Sequence, residues 1–360
     1  MLLNLLEYHW VEHIDDALIL LSRTDMKTVP LAGGTYLLGL QDESIQAVVD
    51  LRDLELAYIS EDAQGMHIGA MTTLQSMVEA PELKNLAAGI LSRAALASSF
   101  SRLIRNSATL GGTLGAGAAS QADLLTALAV MDAEVLLRSG SKTQLNLSGG
   151  TPDRPGLPLS GVTFKGKQER HVPYTSLVEE RRPNELIVEV IIPIAEGFER
   201  RSAEPRQLAN DAGASTASQS GKLQGVRSAQ APTVGASFLR VGRTPTDIAL
   251  LNAAALVEVN NGVFQRVRLA AGGVNMEPVR LYNLEKQLEG QPVLSVTDGQ
   301  NNRQLFATVQ TGMADFRPPS DFRASSGYRR ASGINLVYRA LEEAINVSRW
   351  NSMISSEGKA

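Results

Sequence analysis

Two glycine-rich turns carry the most specific chemistry in this sequence. The first is Leu31-Ala-Gly33-Gly34-Thr35-Tyr36 and the second is Thr109-Leu-Gly111-Gly112-Thr113. Because glycine has no Cβ, a Gly-Gly pair at the end of a strand can adopt positive φ and direct successive backbone N–H groups at phosphate oxygens. One such pair is usually an ordinary tight turn. Two pairs with the same Gly-Gly-Thr core predict a clamp that holds a pyrophosphate from two sides.

Small residues continue beyond the second turn, through residues 114–119. Asp123 follows at the start of a predicted helix, where it either caps the helix or accepts a hydroxyl of a ligand. Neither the G-x-x-x-x-G-K-[ST] motif of P-loop proteins nor a G-x-G-x-x-G motif between a strand and a helix is present. A nucleotide ligand would therefore lie in a different fold from those two.

Composition excludes several other functions. The 360 residues contain 34 Lys and Arg against 38 Asp and Glu, so no concentrated cationic face for nucleic acid is expected. Without cysteine the chain cannot build a disulfide, a thiolate nucleophile or a cysteine-ligated iron–sulfur cluster. The first twenty residues have no basic start and are interrupted by acids, so they predict neither a signal peptide nor a membrane span. We expect a cytoplasmic protein without a metal site of its own.

The predicted elements place both turns in α/β surroundings. A helix at Asp15–Ser22 and strands near Thr28 and Ala47 form a first small unit, followed by a Thr-capped helix, a helical stretch over Pro81–Ser99 and a strand from Glu185. The tract 199–232 is poor in large apolar residues and predicts a linker. Beyond it we expect a helix over 247–255, strands at 256–259 and 263–271, and a final helix over 334–347.

A series of short motifs, in order, resembles one known family. They are Glu7-Tyr8-His9, Ala32-Gly33-Gly34-Thr35, Ile68-Gly69-Ala70-Met71-Thr72-Thr73-Leu74, Ile104 to Gly112, Ala122-Asp123-Leu124-Leu125, Glu185 to Pro193, Ala271-Gly-Gly-Val and Tyr328-Arg-Arg. The chain resembles the FAD-binding medium subunit of molybdenum hydroxylases, the group that includes carbon monoxide dehydrogenase and xanthine dehydrogenase. The similarity extends over nearly the whole chain apart from the predicted linker and the last ten residues.

The resemblance implies an α+β fold with FAD bound between two subdomains. This is the PCMH-type fold of vanillyl-alcohol oxidase, with two α/β subdomains followed by a C-terminal α+β domain like that of the CO dehydrogenase flavoprotein. The implied boundaries are 1–55 and 56–197 for the two FAD-binding subdomains, 198–232 for a flexible linker, 233–350 for the C-terminal domain and 351–360 for a tail. The implied FAD-binding residues are Leu31, Ala32, Gly33, Gly34, Thr35, Tyr36, Leu37, Thr109, Gly111, Gly112, Thr113 and Asp123. Of these, Asp123 would contact the sugar-like chain of the flavin.

The resemblance implies that the chain is the electron-exit subunit of a larger oxidoreductase, the subunit from which electrons leave the enzyme. FAD would receive electrons from [2Fe-2S] clusters of a small partner subunit and pass them to NAD+, oxygen or a quinone, while a molybdopterin-containing large subunit selects the organic substrate. Since the cofactor carries the redox chemistry, no catalytic side chain is predicted. Neither the substrate nor the acceptor follows from the sequence.

Three departures from the family pattern keep alternatives open. Tyr36 replaces the usual Asp, Ser or His, Thr113 replaces Asn or Asp, and Glu179-Glu180-Arg181-Arg182 replaces the Thr-x-Leu stretch that lies against the flavin ring. Arg240 lies near the position of a usual lysine. The alternatives are a flavin-free scaffold subunit that only docks partners and a stand-alone FAD oxidase of the same fold.

Overall fold

The computed structural model describes most of the chain in eight segments. These are residues 2–117, 122–140, 168–182, 184–194, 232–244, 246–275, 277–293 and 301–357. The predicted linker lies outside them except for its last residue. No helix within the described segments is long and apolar enough to cross a membrane.

The N-terminal unit is a three-stranded parallel sheet with the strand order β1-β3-β2. It consists of β1 (Glu7–Trp10), α1 (Ile14–Leu21), β2 (Thr28–Leu31) and β3 (Ala47–Asp50). The central strand β3 is buried at all four positions, as expected for a parallel strand covered on both faces. The predicted helix and strands of this unit are correct.

The second unit is a five-stranded antiparallel sheet with the order β4-β5-β8-β6-β7, covered by helices. Its strands are β4 (Ile59–Glu61), β5 (Met66–Gly69), β6 (Glu134–Ser139), β7 (Gln168–Pro173) and β8 (Glu185–Ile192). Its helices are α2 (Leu74–Glu79), α3 (Pro81–Asn85), α4 (Ile90–Ser98), α5 (Arg102–Ser107), α6 (Leu110–Ala116), α7 (Ala122–Val130) and α8 (Leu177–Glu180). The predicted threonine cap is confirmed, because the Thr73 side chain accepts a hydrogen bond from the Ser76 N–H.

The helix predicted over Pro81–Ser99 is interrupted. Ala87 and Ala88 adopt φ of 46° and 55°, in the left-handed region that ends a right-handed helix. The break allows Leu86 and Ala87 to be buried in the core of the second unit.

The C-terminal unit is a four-stranded antiparallel sheet with the order β12-β11-β10-β9 and helices on one face. Its strands are β9 (Thr233–Val241), β10 (Leu251–Asn260), β11 (Val263–Gly272) and β12 (Val279–Arg280). Its helices are α9 (Tyr282–Leu288), α10 (Asn301–Gly312) and α11 (Ser326–Glu357). The last helix therefore continues well past the predicted end at 347 and into the segment predicted as a tail.

The helix predicted over 247–255 is wrong, because most of that stretch belongs to the central strand β10. Ala253 and Ala255 contact the core beneath α11, while Ala254 contacts the core of the second unit on the other face of the sheet. A strand alternates its side chains between two faces, and small side chains allow both layers to approach closely. Tertiary packing here overrides the helix propensity of alanine.

Two cores join the three units into a continuous structure. The large core of the second unit includes Phe238 and Leu256 from the C-terminal sheet. A smaller core joins Leu18 of α1 to Leu186 and Val188 of β8. The N-terminal unit is thus held against the face of the second sheet at its middle strand, β8.

Candidate functional site

A deep cleft opens between the N-terminal unit and the second unit. It encloses about 1120 Å³ of empty space, counted out to its open mouth. All predicted site residues except Leu31 and Asp123 line it: Ala32, Gly33, Gly34, Thr35, Tyr36, Leu37, Thr109, Gly111, Gly112 and Thr113. The fold therefore brings the two glycine turns, far apart in sequence, into one site.

The first turn begins where β2 ends. The Leu31 carbonyl accepts the last bond from the neighbouring strand, from the Leu51 N–H at 3.0 Å, and Gly34 then adopts a φ of 69°. No acceptor in the described part of the chain receives the backbone N–H groups of residues 33–36. Four successive N–H groups are therefore available at the carboxyl edge of a parallel sheet, where such folds bind ligands.

Close contact between the first turn and the end of α5, just before the second turn, explains Gly33. A Cβ on Gly33 would lie only 1.5 Å from the carbonyl oxygen of Ser107, the last residue of α5. A Cβ on Gly112 would lie 3.8 Å from the Cβ of Ala32. The turns touch across the floor of the cleft, and a side chain at Gly33 would force them apart.

The second turn is not the strand-end turn that the sequence predicts. It follows helix α5, and Gly111 and Gly112 form the first turn of α6, without positive φ. Thr109 is the N-cap of this helix: its Oγ1 accepts a hydrogen bond from the Gly112 N–H at 3.1 Å. The prediction of positive φ is thus correct for Gly34 and wrong for Gly33 and for both glycines of the second turn.

Most N–H groups of the second turn are already bonded within the protein. The Leu110 N–H donates to the Thr72 carbonyl at 2.9 Å, and the Gly111 N–H donates to the Ala70 carbonyl at 2.8 Å. A Cβ on Gly111 would lie 2.8 Å from the Cβ of Ala70, so this glycine is required for close packing. Within the described residues, only the N–H of Thr109 remains without an acceptor near this turn.

Two of the three departures from the family pattern, Tyr36 and Thr113, lie in the lining of the cleft. Tyr36 lies on its wall with 36% of its surface exposed. Thr113 is buried, and its hydroxyl donates to the Thr109 carbonyl at 2.9 Å.

Strand β8 and the residues before it form a wall of the cleft that contains none of the predicted FAD-binding residues. Glu185 is held by Arg170, whose Nε and Nη2 donate to its two carboxylate oxygens, both at 2.8 Å. The Arg182 N–H adds a third bond at 2.8 Å. These bonds, led by those from Arg170, lower the pKa of Glu185. The only sequence signal for this wall was the Arg-Arg pair in place of the family's usual residues.

Asp123 lies buried against the C-terminal sheet instead of on the cleft wall. The Asn252 Nδ2 donates to its Oδ1 at 2.7 Å, and the Arg240 Nε lies 3.4 Å from its Oδ2. Burial raises the pKa of Asp123, and the charge of Arg240 opposes the rise. Its predicted contact with the flavin side chain stays a prediction.

Two family descriptions match the chain on either side of the predicted linker. Residues 4–148, which include both glycine turns, match the FAD binding domain in molybdopterin dehydrogenase. Residues 236–344 match the CO dehydrogenase flavoprotein C-terminal domain.

Individual relatives agree with these matches. The glyceraldehyde dehydrogenase medium chain of Sulfolobus acidocaldarius is 25% identical over 319 residues, which cover 87% of this chain and 89% of the relative. The carbon monoxide dehydrogenase structure from Hydrogenophaga pseudoflava superimposes with a TM-score of 0.70 at 20% identity, covering 97% of this chain and all (100%) of that chain. Quinoline 2-oxidoreductase from Pseudomonas putida superimposes with a TM-score of 0.67 at 20% identity, covering 94% of this chain and 96% of that one. At these identities the superpositions establish the fold.

These matches confirm the predicted fold class, the predicted resemblance and FAD as the cofactor. The two matched domains occur in the order that the sequence motifs predicted. The chain belongs to the family of FAD-binding medium subunits of the molybdenum hydroxylases.

Proposed function

We propose that this chain holds FAD in the cleft between its first two units and serves as the electron-exit subunit of a molybdenum hydroxylase. The observation that carries the proposal is the set of four N–H groups at residues 33–36, which have no acceptor in the described part of the chain and border the cleft. Such a row of amides is a binding site for the oxygens of a diphosphate. The residues present therefore fit FAD.

The first turn would bind the diphosphate, and the second turn would support it. The Thr109 N–H is the one further donor that the second turn offers. The rest of that turn keeps Gly33 against Ser107, which fixes the position of the first turn. We thus assign unequal roles to two motifs that are nearly identical in sequence.

The remaining lining residues favour positioning over acid–base chemistry. Leu186, Ile187 and Met71 give the cleft an apolar wall that excludes water. Of the ionisable lining residues in the described segments, Tyr36, Arg181 and Glu185, the last is bonded to Arg170. FAD, when bound, supplies the ability to exchange electrons singly or in pairs, and the chain supplies its position and electrostatics.

The proposed partners are a small subunit with [2Fe-2S] clusters and a molybdopterin-containing large subunit, and the proposed acceptors are NAD+, oxygen or a quinone. The name of the archaeal relative, a medium chain, supports membership of a multi-subunit assembly. In the part of the chain that precedes the second turn, large apolar side chains are exposed at Leu96, Phe100, Leu103 and Ile104. Clustered exposed apolar residues are typical of protein interfaces, so we place the small subunit on this face.

The domain division also stays a proposal. The three sheets support units at 1–55, 56–197 and 233–350, joined by the predicted linker.

A spectrum of the purified chain, followed by titration with FAD, tests the function. We expect flavin absorption bands and saturation near one FAD per chain. Co-expression with the neighbouring coding regions should also yield a complex that reduces an added acceptor. A folded, colourless chain that does not bind added FAD would contradict the proposal and favour the scaffold alternative. FAD-dependent oxidation of a substrate by the isolated chain would favour the stand-alone oxidase instead.

A further inference from the structure

A single cationic side chain lines the cleft within the described residues, and it belongs to Arg181. Its backbone is fixed at the end of α8, where its N–H donates to the Leu177 carbonyl at 2.9 Å. Its side chain is partly buried, and its Nη1 lies 3.4 Å from the position that a Cβ would occupy on Gly115. The guanidinium therefore lies beside helix α6 at the cleft.

The carboxylate nearest in the wall does not pair with this guanidinium. Glu185 is occupied by Arg170 and by the Arg182 N–H. No hydrogen bond or ion pair of the Arg181 side chain occurs in the described part of the chain. A partly buried charge without a partner is costly unless a ligand supplies the opposite charge.

Arg181 and the diphosphate-binding turn approach helix α6 at different positions. Ala32 approaches α6 at Gly112, whereas Arg181 approaches it at Gly115. Three residues correspond to about 4.5 Å along a helix axis. Arg181 thus lies nearly one helical turn further along the cleft than the contact between the two glycine turns.

We propose that Arg181 is a positioning and tuning residue that faces the isoalloxazine ring of FAD and stabilises its reduced, anionic form. The inference rests on the proposed function, because it requires FAD in this cleft. Reduction of the ring by two electrons from the partner's iron–sulfur clusters, with uptake of one proton from water at N5, leaves one negative charge near N1. A cation beside that edge stabilises the reduced ring more than the oxidised ring and so raises the reduction potential. The adenine arm of FAD carries no charge in either state and would leave Arg181 unpaired.

The burial of the Arg181 side chain also supports this assignment. It lowers the pKa of Arg181, and Glu185 opposes the decrease. An anion formed next to the guanidinium would remove that penalty. Binding of the reduced cofactor and retention of the charge on Arg181 therefore favour each other.

The test compares Arg181→Leu, which removes the charge, with Arg181→Lys, which keeps it. Arg182→Leu is the matched control, because the neighbouring Arg182 side chain is exposed and does not line the cleft. For each chain we would measure the midpoint potential of bound FAD by redox titration, and the affinities for oxidised FAD and for ADP by calorimetry. ADP serves as a probe because it carries the diphosphate without the flavin ring.

In Arg181→Leu we expect reduced FAD to bind about tenfold more weakly relative to oxidised FAD, which for a two-electron couple lowers the potential by about 30 mV. Arg181→Lys should retain most of the wild-type potential, and Arg182→Leu all of it. Affinity for ADP should be unchanged in each variant.

An unchanged potential in a folded Arg181→Leu chain would overturn the proposal. Parallel losses of ADP and FAD affinity would also overturn it, by placing Arg181 on the diphosphate. If the wild-type chain bound no FAD, the proposed function itself would fail together with the inference.

Discussion

The two glycine turns are nearly identical in sequence and differ in structure. In the first turn Gly33 and Gly34 lie in a loop after β2, and the N–H groups of residues 33–36 have no acceptor in the described chain. In the second turn Gly111 and Gly112 begin helix α6, and their N–H groups donate to Ala70 and Thr109. A Gly-Gly-Thr motif can therefore either expose backbone donors or permit close packing.

The difference shows that the ligand-binding and supporting halves of a clamp need not be alike. The supporting half fixes the floor through contacts with Ala70 and Thr72, and the first turn rests on that floor at Ser107. Substitutions in the first turn should therefore alter ligand affinity, whereas those in the second should alter stability.

The largest effect is expected from Gly33→Ala. The added Cβ would lie 1.5 Å from the Ser107 carbonyl oxygen, so the turn must move away from the floor. Losing one or two amide bonds to a charged diphosphate should weaken FAD binding about 100-fold. Fluorescence titration with FAD measures this loss.

Gly39→Ala is the matched control for that experiment. Gly39 ends the short helical turn after the same loop, and a Cβ there meets nothing within 4 Å. Its FAD affinity should equal that of the wild type. Equal affinities in all three chains would show that the first turn does not hold the ligand.

A smaller effect, on stability, is expected from Gly111→Ala. The new Cβ would lie 2.8 Å from the Cβ of Ala70, and such overpacking costs about 1–3 kcal/mol of the free energy of unfolding. Urea denaturation measures it, and FAD affinity should change much less than in Gly33→Ala.

Gly327→Ala is the same substitution at a position with open space, and we expect it to raise the free energy of unfolding. Gly327 is also the second residue of a helix, α11, but a Cβ there has open space. The substitution should stabilise the chain by about 0.5–1 kcal/mol because alanine favours helix. If Gly111→Ala were equally stabilising, the packing explanation of the second turn would be wrong.

The smallest effect concerns the wall opposite the turns and depends on pH. The pKa of Glu185 is lowered from its ordinary 4.5, chiefly by hydrogen bonds from Arg170. A lowered pKa in the folded state contributes stability above the unfolded value, and this contribution is lost as the pH falls through the folded value. The free energy of unfolding of Glu185→Gln should therefore depend less steeply on pH below 4.5 than that of the wild type.

Glu179→Gln is the control for this measurement, since Glu179 is an exposed carboxylate of α8 that does not line the cleft. Its pH profile should follow that of the wild type. If the free energy of unfolding of Glu185→Gln depended on pH as that of the wild type does, the hydrogen bonds of Glu185 would not stabilise this wall.

The meeting of the two turns could be predicted from the sequence because both contain glycines where a side chain would prevent a close approach. Most strands near the turns were also predictable, since β3 and β8 are short stretches rich in valine, isoleucine and leucine, whose only polar residues are acidic. The free amides of the first turn follow from a Gly-Gly pair directly after a strand.

The unequal use of the two turns could not be predicted, because it depends on partners distant in sequence. The acceptors that occupy the second turn are carbonyls of Ala70 and Thr72, which any residue type could supply. The location of Arg181 depends on how β8 lies against α6. The first half of β10 was predicted as a helix because alanine favours helices, and only its burial between two layers explains the strand.

Backbone hydrogen exchange, with and without FAD, tests the asymmetric clamp most directly. In the FAD-free chain the N–H groups of residues 33–36 should exchange rapidly and those of residues 110–113 slowly, because only the latter are bonded within the protein. On addition of FAD we predict strong protection of residues 33–36 and little further change at 110–113. Protection that arises at the second turn and leaves the first unaltered would contradict the account.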